Sequence, residues 1–455
     1  MGGLNGVLSI ATGALGAQLA GIEVSNNNIA NANTPGYSRQ VVSLSSAASV
    51  QNGTSVDQGV SYDGFNTVRD AVLNMSINAA TSTQGSLTAQ NTLLTQLNSA
   101  FSGTTTGIAA SISTLFSDLS ALSSEPSDSS ARQTVLGDAQ QLVSDFHQGA
   151  AALSDVANAA NREVSTTVAQ INQLAQQIAA LNERLPPSSN NGQSGNALED
   201  QRDTLTTQLS QLIGTSSTQT EGNPTLTTTN GSPLVIGSTS YPLQVTMGSD
   251  GNAHVLDAEG NDITSSMSGG TLGGALTVRD NTVPSFSAQL DSLAAQFATA
   301  MNGAQAAGYD LSGDTGSVMF DLPNEGAAAG ISLALPSGAS IAISSDGSAD
   351  SSGNLQSFLS VQSEALPSGA TPTDAYASLV SNIGSAGAEV NSSLTATAAS
   401  LQQLTTQQDS VSGVSVDEET TNLIRYQQAY EAAARVISTV NDLYTSLMNM
   451  SLGDG

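Results

Sequence analysis

From Arg132 to Arg184 no proline interrupts the chain, and apolar residues return at helical spacing throughout: Leu136, Ala139, Leu142, Phe146, Leu153, Val164, Val168, Ile171, Ile178 and Leu181. One helix of that length is a rod of roughly 75 Å, far beyond the average globular helix. A single compact core cannot wrap such a rod, so the fold is elongated, with other helices laid along it. Residues 69–101, 196–213, 284–307 and 373–410 carry helical patterns and can pack on it as a bundle. Pro186-Pro187 ends the rod, and PPSSNNGQSG (186–195) reads as a helix-to-helix loop.

Both ends of the chain are also helical. Leu4, Leu8, Ala11, Leu15, Gln18 and Ile22 alternate spacings of four and three, which gives one narrow apolar stripe. Gly6, Gly13, Gly16 and Gly21 weaken this helix, each by up to about 1 kcal/mol relative to alanine. At the other end Leu423, Tyr426, Tyr430, Ala433, Ile437, Val440, Tyr444 and Leu447 keep the same alternation, behind an acidic first turn of Asp417, Glu418 and Glu419 that suits the helix dipole. Ile424, Val436, Leu443 and Met450 form a second strip outside that seam. A helix apolar on two sides predicts two neighbours.

Between Thr215 and Asp280 the pattern changes. Asn230-Gly231, Asp250-Gly251, Glu259-Gly260-Asn261 and Gly269-Gly270 mark turns, with short β-rich runs at 234–236, 243–247 and 253–257. This reads as a small antiparallel β domain inserted into the rod. A second β-tending patch spans Val318–Ser345.

The chemistry available is narrow. The chain has 38 acidic and nine basic residues, all nine of them arginine, for a net charge of −29. Phosphate backbones and anionic lipid repel such a chain, so neither nucleic acid nor membrane insertion is expected. Charged residues are only 10%, against roughly a quarter in ordinary domains, and tryptophan is absent. Large core anchors are therefore scarce, and parts of the free chain are expected to order only when something packs against them. No cysteine is present, which excludes disulfides and thiolate sites. No cleaved secretory signal and no membrane-spanning run is expected. His147 and His254 are isolated, no lysine is available for a P-loop or Schiff base, and no nucleophile motif occurs. No enzyme activity and no cofactor are expected. In DLSGDTGSVMFD (310–321), Asp310, Ser312 and Asp314 hold alternate positions of an EF-hand-like loop. Thr315 replaces its glycine and Asp321 its bidentate glutamate, so an Asx turn is the better reading than a cation site. Glu199-Asp200 reads as a solvated helix face.

The stretch SNNNIANANTPGYSRQ (25–40) ends the first helix with an asparagine run, then a Pro35-Gly36 turn, then Tyr37 and Arg39. Asparagine is poor in helix interiors because its amide competes for backbone hydrogen bonds. The stretch NNIANANTPGYSRQ resembles the N-terminal signature of axial proteins of the bacterial flagellum, and SGVSVDEETTNLIRYQQAYEAAARVIST (412–439) resembles their C-terminal signature. The Ser-Arg-Gln after the turn and the string LIRYQQAY are similar to the hook-associated protein 1 family, as are TLGGALTVRD (271–280) and AAGYDLSGDTGSVMF (306–320).

That resemblance implies a mainly α fold with inserted β. The N- and C-terminal helices would pair in an inner terminal domain, beside a long-helix bundle rod and a small antiparallel β domain. The expected division is 1–60 and 412–455 for the inner assembly domain, 61–214 and 281–411 for the rod, and 215–280 for the β insertion. It further implies an extracellular structural subunit at the hook–filament junction, exported without a cleaved signal by type III export. The implied partners are hook protein below, a second hook-associated protein above, further copies in a ring, and an export chaperone at the C-terminal helix. The implied assembly surface comprises Leu4, Leu8, Leu15, Ile22, Asn27, Asn28, Ile29, Asn31, Asn33, Pro35, Gly36, Tyr37, Arg39, Leu423, Tyr426, Tyr430, Ile437, Val440, Tyr444 and Leu447. In this reading Asn27, Asn28, Asn31 and Asn33 hydrogen-bond between subunits; the alternative is that they cap the helix and start the turn. Two other classes stay open: another axial protein (second junction protein, hook or rod subunit), or a secreted adhesin or enzyme on the β domain.

Overall fold

The computed structural model describes residues 2–51, 54–102, 107–185, 193–220 and 223–452. In chain order it runs α1 (Gly2–Asn31), β1 (Gln40–Gln51), β2 (Thr54–Thr67), α2 (Ala71–Phe101), α3 (Ile108–Ala121), α4 (Ser129–Arg184) and α5 (Gln193–Leu212). There follow β3 (Thr215–Thr220), β4 (Asn223–Thr228), β5 (Pro233–Ile236), β6 (Thr239–Ser240), β7 (Gln244–Met247), β8 (Ala253–Leu256), α6 (Gly270–Thr277) and α7 (Val283–Ala306). Last come β9 (Phe320–Asp321), α8 (Ala327–Gly330), β10 (Ser332–Leu333), α9 (Leu355–Ser363), α10 (Pro372–Ser412) and α11 (Val416–Leu452).

The rod is built on α4. Its 56 residues span about 84 Å. Asp128 caps its start by accepting the Ala131 amide at 2.8 Å. Val135, Leu142, Phe146, Val156, Val164, Ile171 and Ile178 are buried along it against α2, α3, α5 and α7. Phe116, Phe297 and Phe320 pack edge-on or tilted in that core, with centroids 6.2 and 5.8 Å apart. The fully buried Arg132 is held by backbone carbonyls. Its guanidinium donates to the carbonyls of Pro126 (2.5 Å) and Ile341 (2.8 Å), which fastens a distant loop to the start of α4.

Side-chain amides hold the irregular segments to the helices. Asn172 donates to the Leu243 carbonyl and accepts from its N–H, both at 2.8 Å, so it pairs as another peptide group would. Asn161 accepts from the Ala253 amide (2.9 Å) and Asn182 donates to the Gly237 carbonyl (2.7 Å). These three residues stand about three turns apart on α4 and fasten the β unit along it. The unit itself is a four-stranded antiparallel sheet, β3-β4-β5-β6, followed by the β7–β8 hairpin. On α7, Asn302 accepts from the amides of Met319 and Phe320 and donates to the Phe320 carbonyl. Gln305 brackets Ser340 and Ala342 in the same way.

Several expectations change. The β unit ends near Ser268, not at Asp280. Residues 270–277 are helical and run through a π turn at 278–282 into α7. Gly269 and Gly270, at φ 73° and 60°, make the left-handed reversal that starts this helix, and Leu272 and Leu276 bury its inner face. Helix α3, overlooked in the sequence, contributes Ile112, Leu115, Phe116 and Leu119 to the core. The β1–β2 hairpin was likewise missed, while the β structure of 318–345 is limited to the two-residue pair β9 and β10 and a bridge from Ser344 to Tyr309. Asp310 accepts the amides of Ser312 (2.8 Å) and Asp314 (3.0 Å), the geometry of an Asx turn. By length and composition Gly3–Asn31 is apolar enough to cross a membrane, contrary to expectation, because no charge interrupts it before Glu23. In this fold α1 lies against β2 and α11.

Asn172→Ala strands the Leu243 amide and carbonyl away from water, at a cost of about 1–3 kcal/mol. Hydrogen exchange should quicken at 243–247 while α4 around Phe146 stays protected, with a lower denaturant midpoint.

Candidate assembly interface

The terminal helices meet within one chain. Gly21 lies under the Tyr426 ring so closely that a Cβ there would stand 2.7 Å from the ring carbons. Further out, the Tyr444 hydroxyl donates to Asn5 Oδ1. Val440 is buried, and Leu423, Tyr426, Ile437 and Tyr444 are half-buried. Leu4, Leu8, Leu15 and Ile22 on α1 are also half-buried. The C-terminal seam therefore serves in good part as an intrachain surface. Tyr430 and Leu447 depart from this, at 39% and 50% exposed.

The strip beside the seam is open. Ile424, Val436, Leu443, Met448 and Met450 are 43–74% exposed on α11, and Val7, Ile10 and Leu19 are 42–56% exposed on α1. Only the strip on α11 was visible as a pattern in the sequence. Val7, Ile10 and Leu19 were missed because alanine and glycine around α1 blur its two faces.

The asparagine run closes the turn from inside the chain. Asn28 is completely buried: its Nδ2 donates to the Gln40 carbonyl at 2.9 Å, and its Oδ1 accepts the Gln40 amide at 3.0 Å. The Tyr37 hydroxyl lies 2.7 Å from Asn28 Oδ1 and 2.9 Å from Asn27 Oδ1. Asn31 donates to the Asn27 carbonyl at 3.0 Å. The expectation that these amides serve neighbouring copies is thus revised. Asn27, Asn28 and Asn31 have partners in their own chain, because the turn folds Tyr37 and Gln40 back onto the last helical turns. Ile29 is half-buried, while Asn33, Pro35 and Gly36 stay exposed on the outside of the turn. Burial, then the negative charges of Asp200 and Glu419, push the Tyr37 hydroxyl well above the usual phenol range, so it remains a donor.

Two arginines join this turn to the rest of the molecule. Arg39 reaches the first turn of α11, with contacts of 3.2 Å to both Glu418 and Glu419, and its amide donates to the Ser412 carbonyl at 2.9 Å. Arg69, at the base of β2, pairs with Glu199, with Asp200 at 2.7 Å and with Asp203 at 3.7 Å. Asp200 also accepts the Ser38 amide, and Asn196 donates to the Phe65 carbonyl. Glu199-Asp200 is therefore not a free solvated face; it docks α5 against the hairpin base. Arg69 was missed, although in a lysine-free chain every arginine beside an acidic pair is a candidate fastening. A cleft of about 670 Å³ opens between the turn and the α4–α5 pair, lined among others by Asn31, Pro35, Tyr37, Arg184 and Gln201. His147 Nε2 donates to the Ile331 carbonyl at 2.8 Å.

A family model described as the flagellar hook-associated protein FlgK helical domain matches residues 94–320. Models described as flagella basal body rod protein and flagellar basal body rod FlgEFG protein C-terminal match 8–37 and 407–450. Flagellar hook-associated protein 1 of Escherichia coli is 29% identical, with 98% of this chain and all of that protein aligned. Its counterpart in Bacillus subtilis is 27% identical over 97% of each. The Escherichia coli alignment runs 546 positions, so that relative carries segments this 455-residue chain lacks. The flagellar hook junction protein FlgK from Burkholderia pseudomallei shares the fold, with a TM-score of 0.67 at 22% identity over 74% of this chain and all of that one.

Paired terminal helices, a helical rod and matches to rod-protein models at both ends define a flagellar axial protein. Within that class, the chain belongs to the hook-associated protein 1 family.

Asn28→Ala should cost about 1–3 kcal/mol by leaving Gln40 unpaired in a buried site. The check is faster hydrogen exchange at residues 40–42 and 65–67 and a lower denaturant midpoint.

Proposed function

We propose that this protein is a structural subunit of the bacterial flagellum that forms the junction between hook and filament and self-assembles through its terminal helices. The observation that carries the reading is the apolar strip left open on the α1–α11 pair. These helices satisfy each other on one side and leave Val436, Leu443 and Leu447 exposed along another face of α11, with Ile10 and Leu19 also exposed on α1. Burying one such aliphatic side chain contributes about 1.5–3 kcal/mol, and a lattice of identical copies repeats the gain in every subunit.

In this reading residues 1–60 and 412–455 form the inner assembly domain, and the helices of 61–214 and 281–411 form the rod outside it. The β unit stands outermost, and the β1–β2 hairpin links the inner domain to the rod. The sequence-predicted seam of Leu423, Tyr426, Ile437 and Val440 holds the subunit's own terminal helices together, so that the neighbouring strip can meet other copies. Asn33, Pro35 and Gly36 lie on the exposed side of the turn, available to a neighbour. Hook protein below, a second hook-associated protein above, further copies around the ring and an export chaperone on α11 before assembly are the partners this role requires. The site of action is extracellular, after type III export. The structural character of the family favours a non-enzymatic role.

Leu443→Asp tests the assembly strip. A carboxylate forced into an apolar contact costs several kcal/mol, so the variant should be made and exported but recovered from the medium as monomer, with hooks left without filaments. Glu431→Gln, which alters only an exposed pair with Arg435 at 4.0 Å, should assemble normally. Filament growth by Leu443→Asp equal to the parent's would show that the strip is not buried on assembly.

A further inference from the structure

His254 of the β unit is held in a way that fixes its chemistry. Its Nδ1 lies 2.7 Å from Asp262 Oδ2, and its Nε2 lies 3.2 and 3.3 Å from the two oxygens of Asp250. Both carboxyls are kept ionised by other donors. Asp262 accepts the Thr264 hydroxyl at 2.6 Å and amide at 2.9 Å, and Asp250 accepts the Asn252 amide at 3.1 Å and side chain at 3.0 Å. These bonds hold both carboxyls down at about 2. An ionised carboxylate only accepts, whereas a neutral imidazole has one N–H and one lone pair. In the neutral ring one nitrogen must therefore point a lone pair at a carboxylate. Only the imidazolium satisfies both contacts.

The two carboxylates lie on opposite sides of β8 in the fold. Asp250 belongs to the turn that joins β7 to β8. Asp262 belongs to the returning segment that pairs with β8 through Leu256 and through the Ile263 amide on the Val255 carbonyl at 2.9 Å. Among the described residues, these are the charged groups that act on the ring. Arg279, from the π turn, takes the neighbouring Ala253 carbonyl and is paired with Asp280; Asn161, from α4, is neutral.

We propose that His254 is a proton-operated staple of the β unit. Protonated, it closes both the 248–252 turn and the 261–263 segment onto β8; neutral, it releases one of them. The inference does not rest on the assembly reading. Hydrogen bonds to Asp262 and then Asp250 raise the folded-state value above that of an ordinary imidazole. The staple's contribution is therefore complete below about pH 6.5, the ordinary value, and is lost as pH rises through the folded-state value.

The chain has two histidines, His147 and His254, so ring NMR signals can be assigned by one substitution. The His254 midpoint should lie above the ordinary value and shift down toward it in Asp262→Asn. Amide protection over 250–256, corrected for intrinsic exchange, should fall from pH 6 to pH 9 in the parent and lose that dependence in His254→Gln. A midpoint at or below the ordinary value, no shift in Asp262→Asn, or a pH dependence that survives in His254→Gln overturns the proposal. If His254→Gln does not fold, the parent titration and Asp262→Asn decide it.

Discussion

The pairing of side-chain carboxamides with backbone groups is the interaction on which the rest of this structure depends. A chain with 10% charged residues and no tryptophan has few ion pairs or large aromatic anchors with which to join its parts. Asparagine and glutamine do the joining. Each offers a donor and an acceptor in the geometry of a peptide group, so a helix bearing one can pair with an irregular segment as a strand would. Asn28 closes the N-terminal turn, Asn161, Asn172 and Asn182 seat the β unit, and Asn302, Gln305 and Asn354 secure the long loop after α7. None of these contacts adds charge to a chain already at −29.

Charge is used sparingly, where a carboxamide is too weak or too short. Arg39 and Arg69 span from the hairpin base to α11 and α5, Arg132 takes the Ile341 carbonyl of a buried loop, and Arg279 takes the Ala253 carbonyl of β8. Guanidinium suits this task because its several N–H groups address more than one acceptor at fixed angles. The acidic excess is thus uneven in effect. Most carboxylates face solvent, while Glu199, Asp200, Glu418 and Glu419 receive the cations that position the terminal helices relative to the rod.

Features with a long period were legible in the sequence. Helix α4 announces itself through dozens of residues of consistent spacing. The seam of α11 does so through a strict alternation, and β5, β7 and β8 through runs bounded by glycine turns. What could not be read was local or paired with something remote. The β1–β2 hairpin is rich in serine, glycine and asparagine, so its period of two is diluted. Helix α3 is only 14 residues long. Glu199 and Asp200 look like any exposed acidic pair until Arg69, some 130 positions away, is brought beside them. The asparagines of the turn show the same difficulty. Their number was conspicuous, but an amide that serves its own chain and one that serves a neighbour have the same spelling.

The three asparagines on α4 have a mechanical consequence. Asn161 and Asn182 are separated by about 32 Å of helix, with Asn172 between them, and all three hold the same small β unit. A body fixed at three points along a slender column acts as a splint. Flexing the column would stretch the outer attachments or compress the middle one, so the bending stiffness of this part of the rod is set by short hydrogen bonds rather than by the helix alone. The opposite flank of α4 carries no such brace from the β unit, and the column should be easier to bow in one direction than in the other.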